Sequence, residues 1–269
     1  MSPITETPGA GPSVSGSGGE IPLGTKLSMF LRLLAIQASW NYEILLGNGI
    51  GFCVEPALRR LPGGSKGLEY REALARQSNY FNAHPYLASV AVGALARAEL
   101  DGEAALRIER FRTALCGPLG SVGDRLVWAA WLPLCSLIAL GVFGMGAGPI
   151  LTVVVFLLLY NAGHLSLRAW GLHVGMTRGL KVASSLGSPW LRRGPEWLGS
   201  AGALASGIAI PLALYRIGGA DHSPVWLFAF VLLLSVVGGL ALSRLPARME
   251  GWRLAITGLA LYVLVTMVR

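Results

Sequence analysis

LVWAAWLPLCSLIALGVFGMGAGPILTVVVFLLLYNAGHLSL, residues 126–167, decides the fold. No Asp, Glu, Lys or Arg occurs in it from end to end. A hydrocarbon core about 30 Å thick is crossed by about 20 apolar residues in helical form, so the run is long enough for two crossings. Gly144-Met-Gly-Ala-Gly-Pro149 interrupts it midway with residues that punctuate helices. The pattern predicts two spanning helices, 126–145 and 149–167, joined by a tight hairpin.

Toward the C-terminus, uncharged runs recur at 197–215, 223–243 and 254–268. That makes five expected spans. Composition agrees: of 269 residues 53% are hydrophobic and only 13% charged, where a soluble domain carries about 25% charged residues. The shortfall excludes an ordinary soluble enzyme, and it excludes disorder, which needs low hydrophobicity and high charge. The 36 glycines and 15 prolines show no collagen-like period and suit the close contacts and breaks of membrane helices.

The 22 basic side chains against 14 acidic ones give a net charge of +8, and their positions explain it. Arg107, Arg110, Arg112 and Arg125 precede the long run; Arg168, Arg178, Lys181, Arg192 and Arg193 follow it; Arg244, Arg248 and Arg253 join the last two spans. The 144–148 hairpin has no charge, and the 216–222 loop sets Arg216 against Asp221. This alternation matches the positive-inside rule. It places the basic segments and the N-terminus in the cytoplasm and Arg269 outside. No Lys/Arg run interleaved with stacking aromatics occurs, so nucleic acid is not an expected partner.

Before the long run the chain reads as two regions: a polar Gly/Ser/Pro tail at 1–24 and a motif-rich segment at 25–125, ahead of the spanning region 126–269. Residues 33–54 are apolar apart from Gln37, Asn41, Asn48 and Glu43, and Gly47, Gly49 and Gly51 would weaken a continuous helix there. The reading is a broken or re-entrant membrane element. An amphipathic helix is expected within 59–76 and a short apolar helix at 87–98, followed by a charged, water-exposed stretch at 99–112. The fold class is therefore all-α: a polytopic membrane protein with about five spanning helices plus N-terminal broken or re-entrant helices.

Several residues could carry chemistry. Glu43 is a carboxylate in an apolar stretch, and such groups usually face a cavity, a partner or a substrate path. It ends the run Gln37-Ala-Ser-Trp40-Asn41-Tyr-Glu43. An aromatic ring can pack on the C–H face of a sugar, while Asn and carboxylate groups bond its hydroxyls. A structural pair with an arginine such as Arg32 is the competing reading. In Asn79-Tyr-Phe-Asn82-Ala-His84-Pro85, the proline pushes His84 out of helical geometry, which leaves it at a break with a carbonyl open for contact; a satisfied core histidine is the plainer reading. Gly117-Pro-Leu-Gly-Ser-Val-Gly-Asp124 predicts a sharp turn, with Asp124 as cap of the next helix. Gly171, Gly175 and Gly179, and likewise Gly199, Ala203 and Gly207, predict close helix packing. His164, His173 and His222 receive no role. Cys53, Cys116 and Cys135 form no C-x-x-C pair and read as small buried hydrophobes, so neither a metal site nor a disulfide is expected. No phosphate loop or nucleophile elbow occurs. An intramembrane hydrolase built on Glu43, His84 and Asp124 would require those side chains to converge.

Taken together and in order, Ser39-Trp-Asn-Tyr-Glu43, Gly51-Phe-Cys53 leading to Pro56 and Arg59-Arg-Leu61, Phe81-Asn-Ala-His-Pro-Tyr86, Gly117-Pro-Leu-Gly-Ser-Val-Gly-Asp124 and the Gly171/Gly175/Gly179 segment with Arg178 resemble the IID component of mannose/fructose/sorbose-family sugar phosphotransferase systems. The resemblance covers about residues 27–185; the C-terminal third agrees in hydropathy only. It implies a subunit of the bacterial cytoplasmic (inner) membrane that pairs with a IIC subunit for hexose translocation, in trimers of IIC–IID pairs. Soluble IIA and IIB proteins carry the phosphate in that family, so no catalytic residue and no cofactor is expected here. The resemblance makes Trp40, Asn41, Glu43, Asn82, His84 and Asp124 the candidate sugar-binding residues. The chain departs from the family's pattern at Ala83 (Thr), at Gly120-Ser121 (Ala-Gly) and at Arg125 after Asp124 (Pro). Those departures carry a second reading, a diverged scaffold or regulatory subunit of an incomplete system that does not transport.

Overall fold

The computed structural model describes residues 19–218. The expected spans at 223–243 and 254–268, most of the 1–24 tail, His222, the Arg244–Arg253 connection and the C-terminal Arg269 lie outside the described residues.

The described chain is helical: α1 (Leu23–Leu33), α2 (Gly47–Leu58), α3 (Leu68–Gln77), α4 (Ala88–Leu100), α5 (Ala105–Gly123), α6 (Leu132–Gly144), α7 (Pro149–Arg178), the one-turn α8 (Ala183–Leu186) and α9 (Pro189–Gly218). A wider π-type segment, Asp124–Trp131, joins α5 to α6, so 105–144 is one unbroken helical rod. Among the described residues the only extended pairing is two isolated bridges, Asn41 with Leu45 and Leu45 with Phe81.

The core lies in the N-terminal half. α4 carries no charge before Arg97, the composition of a helix surrounded by protein, and nearly all its residues are buried. It packs against the second half of α7. The glycines at 93, 171 and 175 explain how closely. A Cβ on Gly175 would strike the Val90 carbonyl and the Ala94 amide, one on Gly93 would strike α7 backbone at Leu172 and Met176, and one on Gly171 would strike Ser89 and Val90. Backbone contact of this kind is possible only between small residues. The second small-residue set behaves differently. Nothing among the described residues lies within 4 Å of a Cβ placed on Gly199 or Gly207, so the close packing expected there is not made by this part of the chain.

Among the described residues three helices are long and apolar enough to cross a membrane: Ala105–Gly144, Pro149–Leu186 and Pro189–Ile217. They contain the expected spans 126–145, 149–167 and 197–215, and Met145–Gly148 forms the hairpin.

Other expectations need correction. The N-terminal element does break, but at 34–46 and not at its glycines. Gly47, Gly49 and Gly51 sit inside α2, where added Cβ atoms would collide with the Asn79 carbonyl, the Ile36 carbonyl and the Ser78 hydroxyl. They allow close approach; they do not end a helix. The 99–112 stretch is interrupted by a turn with Gly102 at φ +68°, and it is not wholly water-exposed. Glu99 is buried against Arg76 (2.7 Å) and Gln77 (2.6 Å), and Arg112 is buried as well.

Arg168 is not a loop charge. It lies buried within α7 and donates to the Leu33 carbonyl, with its guanidinium 4.7 Å from the Tyr86 ring centroid. A carbonyl and an aromatic face replace water around the cation. Cys53 and Cys135 are buried and Cys116 half-buried, all free thiols.

Candidate functional site

The loop between α1 and α2 is built on Asn41. Its Oδ1 accepts the N–H groups of Glu43 and Ile44, each at 3.0 Å, a side-chain turn that Asn forms readily. Leu45 then adopts φ +51°. A bulky residue in the left-handed region is strained, and such strain persists only where surrounding contacts impose it. Those contacts are visible: Leu46 donates to the Phe81 carbonyl at 2.9 Å and Phe81 donates to the Ile44 carbonyl at 3.1 Å. The two motifs read separately in the sequence are thus stitched together.

On the loop, Trp40 packs edge-on against Tyr42, with ring centroids 4.8 Å apart. Trp40, Tyr42 and Glu43 are all exposed on the chain. The cost of burial that singled out Glu43 is therefore not incurred within this chain, and no ion pair of Glu43 with Arg32 forms. Arg32 instead joins Arg59 and Tyr70 around the buried Glu55.

The second motif is held from below by Arg112, whose guanidinium donates to the carbonyls of Gln77 (3.0 Å), Asn79 (2.6 Å) and Tyr80 (2.9 Å). These are carbonyls at the end of α3, a position where helices leave acceptors unpaired. Arg112 thereby fixes the chain end from which Asn82, Ala83 and His84 follow, outside any helix, before Pro85.

His84 is buried. Its Nδ1 accepts the Tyr86 N–H at 3.2 Å, which assigns the ring proton to Nε2, and Nε2 has no partner among the described residues. The ring lies edge-on to Tyr86 (5.0 Å) and Trp128 (5.4 Å). Burial first, and then the charge of Arg168, push its pKa down to about 4, so the imidazole is neutral at ordinary pH. Its carbonyl, expected to be open for contact, accepts the Ala88 N–H at 2.9 Å.

Gly117–Asp124 forms no turn. It is the last part of α5, and Asp124 begins the π-type segment without capping a helix. Gly123 explains the glycine: a Cβ there would strike the His84 ring. Arg125 turns back along the helix to the Ser121 carbonyl at 3.2 Å.

The outcome is one polar cavity of about 400 Å³ lined by Tyr80, Asn82, Ala83, His84, Pro85, Cys116, Gly117, Gly120, Ser121 and Asp124. Its volume falls in the range of small-molecule sites. Of the six candidate residues it unites Asn82, His84 and Asp124. Trp40, Asn41 and Glu43 sit on the adjoining loop and do not line it. Asn82 supplies an amide donor and acceptor and Asp124 a carboxylate that can span two hydroxyls, while His84 contributes to the wall with its Nε2 buried.

A supporting cluster went unrecognised in the sequence. Phe156, Tyr160, His164 and Arg168 recur every fourth residue of α7 and share one face. Tyr160 and Tyr86 hydroxyls meet at 2.7 Å, His164 stacks on Tyr86 at 5.0 Å, and His164 Nε2 lies 2.9 Å from Asn161 Oδ1. The fourfold spacing of polar and aromatic groups was the available signal. Among the described residues no group of three His, Cys, Asp or Glu could hold a metal ion.

Comparison with known proteins adds an independent line. Residues 24–210 match the family described as PTS system mannose/fructose/sorbose family IID component. The chain is 31% identical over 221 residues to the sorbose-specific EIID component of Klebsiella pneumoniae, covering 77% of this chain and 78% of the relative. It is 29% identical over 208 residues to the mannose-specific EIID component of Escherichia coli K12, covering 70% of each. It is 30% identical over 208 residues to the fructose permease IID component of Bacillus subtilis, covering 71% and 72%. In fold, it superposes on a chain of the cryo-EM structure of the mannose transporter ManYZ with microcin E492, with a TM-score of 0.55 at 23% identity, over 93% of this chain and 97% of that one. A second solved membrane protein gives a TM-score of 0.63 at 23% identity, over 91% and 98%.

Proposed function

Because the chain belongs to the mannose/fructose/sorbose family of phosphotransferase IID components, we propose that it works as the IID half of a hexose translocation unit in the bacterial inner membrane. Its partner is a IIC membrane subunit, and soluble IIA and IIB proteins supply the phosphate. The observation that carries this reading is the shared cavity: Asn82, His84 and Asp124 come from motifs about 40 residues apart and converge on one polar space.

In this account Asn82 and Asp124 hold sugar hydroxyls. His84, kept neutral and wedged between Tyr86, Trp128 and Gly123, shapes the inner wall of the site with its Nε2–H buried. The Trp40–Tyr42 pair supplies an apolar ring face, and Asn41 holds the loop that presents it and Glu43. The cytoplasmic placement of the basic segments and the assembly into trimers of IIC–IID pairs belong to the same proposal.

The test is uptake of labelled mannose, fructose and sorbose by cells lacking their own mannose-type systems. Accumulation of the sugar phosphate is expected only when this chain and a IIC subunit are expressed together, with loss in Glu43→Gln at normal membrane levels. Co-purification of the two subunits without any uptake would replace transport by the scaffold reading. Unchanged uptake in Glu43→Gln would remove that side chain from the site.

A further inference from the structure

At the far end of α4 from the His84 break lies a larger cavity, about 920 Å³, where the start of α1, the 101–103 turn, the end of α7 and residues 179–184 meet. Five cationic side chains line it against three carboxylates. Three of the cations are accounted for: Lys26 with Glu20 at 3.4 Å, Arg97 with Asp101 at 2.8 Å and Arg107 with Glu103 at 2.6 Å. Arg178 and Lys181 remain, with no carboxylate in ion-pair reach among the described residues.

Their position has a local cause. Gly179 takes φ +51° and ends α7, and the turn sets Arg178 and Lys181 on the same concave wall. At 30 residues α7 is about 45 Å long, well beyond a hydrocarbon core of about 30 Å, and its charge-free part stops at Leu167, which puts the Arg178 end on the water side in this proposal. Two surplus cations on a concave surface attract an anion more strongly than the same charges spread on a helix exterior, because the field is focused there. Arg offers a planar fork that matches two oxygens of a tetrahedral anion, and Lys a compact point charge.

We propose that this cavity binds a phosphate mono- or diester, with Arg178 and Lys181 as its ligands. The group comes either from a soluble phosphate compound or from the headgroup of an anionic phospholipid. The site is separate from the Asn82–His84–Asp124 cavity and does not rest on the transport reading.

The full chain in phosphatidylcholine nanodiscs is titrated with inorganic phosphate by calorimetry. In parallel, nanodiscs containing phosphatidylglycerol are used to measure lipid retained by the protein. Binding in either arm supports the site, and the responding arm identifies the source. In Arg178→Gln/Lys181→Gln it is expected to weaken about 30-fold, and in Lys181→Gln alone, at an exposed position that keeps the fold, about 5-fold, on the scale of one near-surface cation per contact. Arg192→Gln/Arg193→Gln, which removes two exposed arginines elsewhere, is expected to leave it unchanged. Absence of binding in both arms overturns the proposal, as does binding that survives both Lys181→Gln and the double substitution.

Discussion

The N-terminal half and the spanning helices use their apolar residues in opposite ways. From Met29 to Val127 the apolar side chains face one another in a single core, closed by the end of α7. In the most apolar stretch of α7 only 6% of residues are buried, and Ile150, Leu151, Val153, Leu157 and Leu158 all point outward. Leu and Val stay exposed in such numbers only where the surroundings are themselves apolar. The first half makes its own interior; the second turns its apolar side chains outward. Candidate chemistry gathers where the two meet: Asn82 and His84 come from the packed half, Asp124 from the middle of the 105–144 rod, where its π-type segment begins.

This contrast can be broken by substitution. The largest effect is expected from Glu55→Gln, which strands Arg32 in the packed half and should cost about 3 kcal/mol, read by chemical unfolding in detergent. Burial alone would raise the Glu55 carboxyl, but hydrogen bonds from Arg59 and Tyr70, with the charges of Arg59 and Arg32, outweigh it and hold the pKa below its ordinary value. The ion-pair contribution is therefore complete above the ordinary carboxylate range and lost as pH falls through the lowered value. Unfolding midpoints measured down an acid series should drop more steeply in the native chain than in Glu55→Gln.

Next is Gly175→Ala, whose Cβ meets the Val90 carbonyl; about 2–3 kcal/mol is expected from overpacking, measured the same way. In the spanning half Leu158→Asp should cost about 3 kcal/mol of membrane insertion, seen as reduced membrane-fraction protein, while the N-terminal half keeps its protease resistance. The smallest effect is Gly199→Ala. With nothing among the described residues within 4 Å of the added Cβ, only helix propensity changes, so stability should rise by up to about 1 kcal/mol. A large loss there would mean that this face is already covered and the contrast is drawn too sharply.

What the sequence revealed follows the same division. The hairpin at 145–148 and the spans around it could be read directly because bilayer thickness is a local, one-dimensional constraint. The break before α2 could also be read, though not its position, since the glycines that suggested it serve contacts with Ile36, Ser78 and Asn79. Gly117–Asp124 looked like a turn because glycine permits one; that Gly123 instead makes room for the His84 ring depends on a residue 39 positions earlier in the chain. Arg168 passed for a topological marker because its partner, the Leu33 carbonyl, is 135 residues away. The motifs nonetheless located half of the candidate residues on one cavity. Hydrogen-bonding side chains beside a proline break are visible in sequence even when their geometry is not.

The central claim is that the cavity at this junction contacts sugar. The most direct measurement is equilibrium binding of labelled hexose to the co-purified IIC–IID complex carrying Asp124→Asn. Asp124 is exposed and caps no helix, so the fold should be unaffected. A loss of at least about tenfold in affinity is expected, the scale of one charge-assisted hydrogen bond. Affinity equal to that of the unaltered complex would contradict the account.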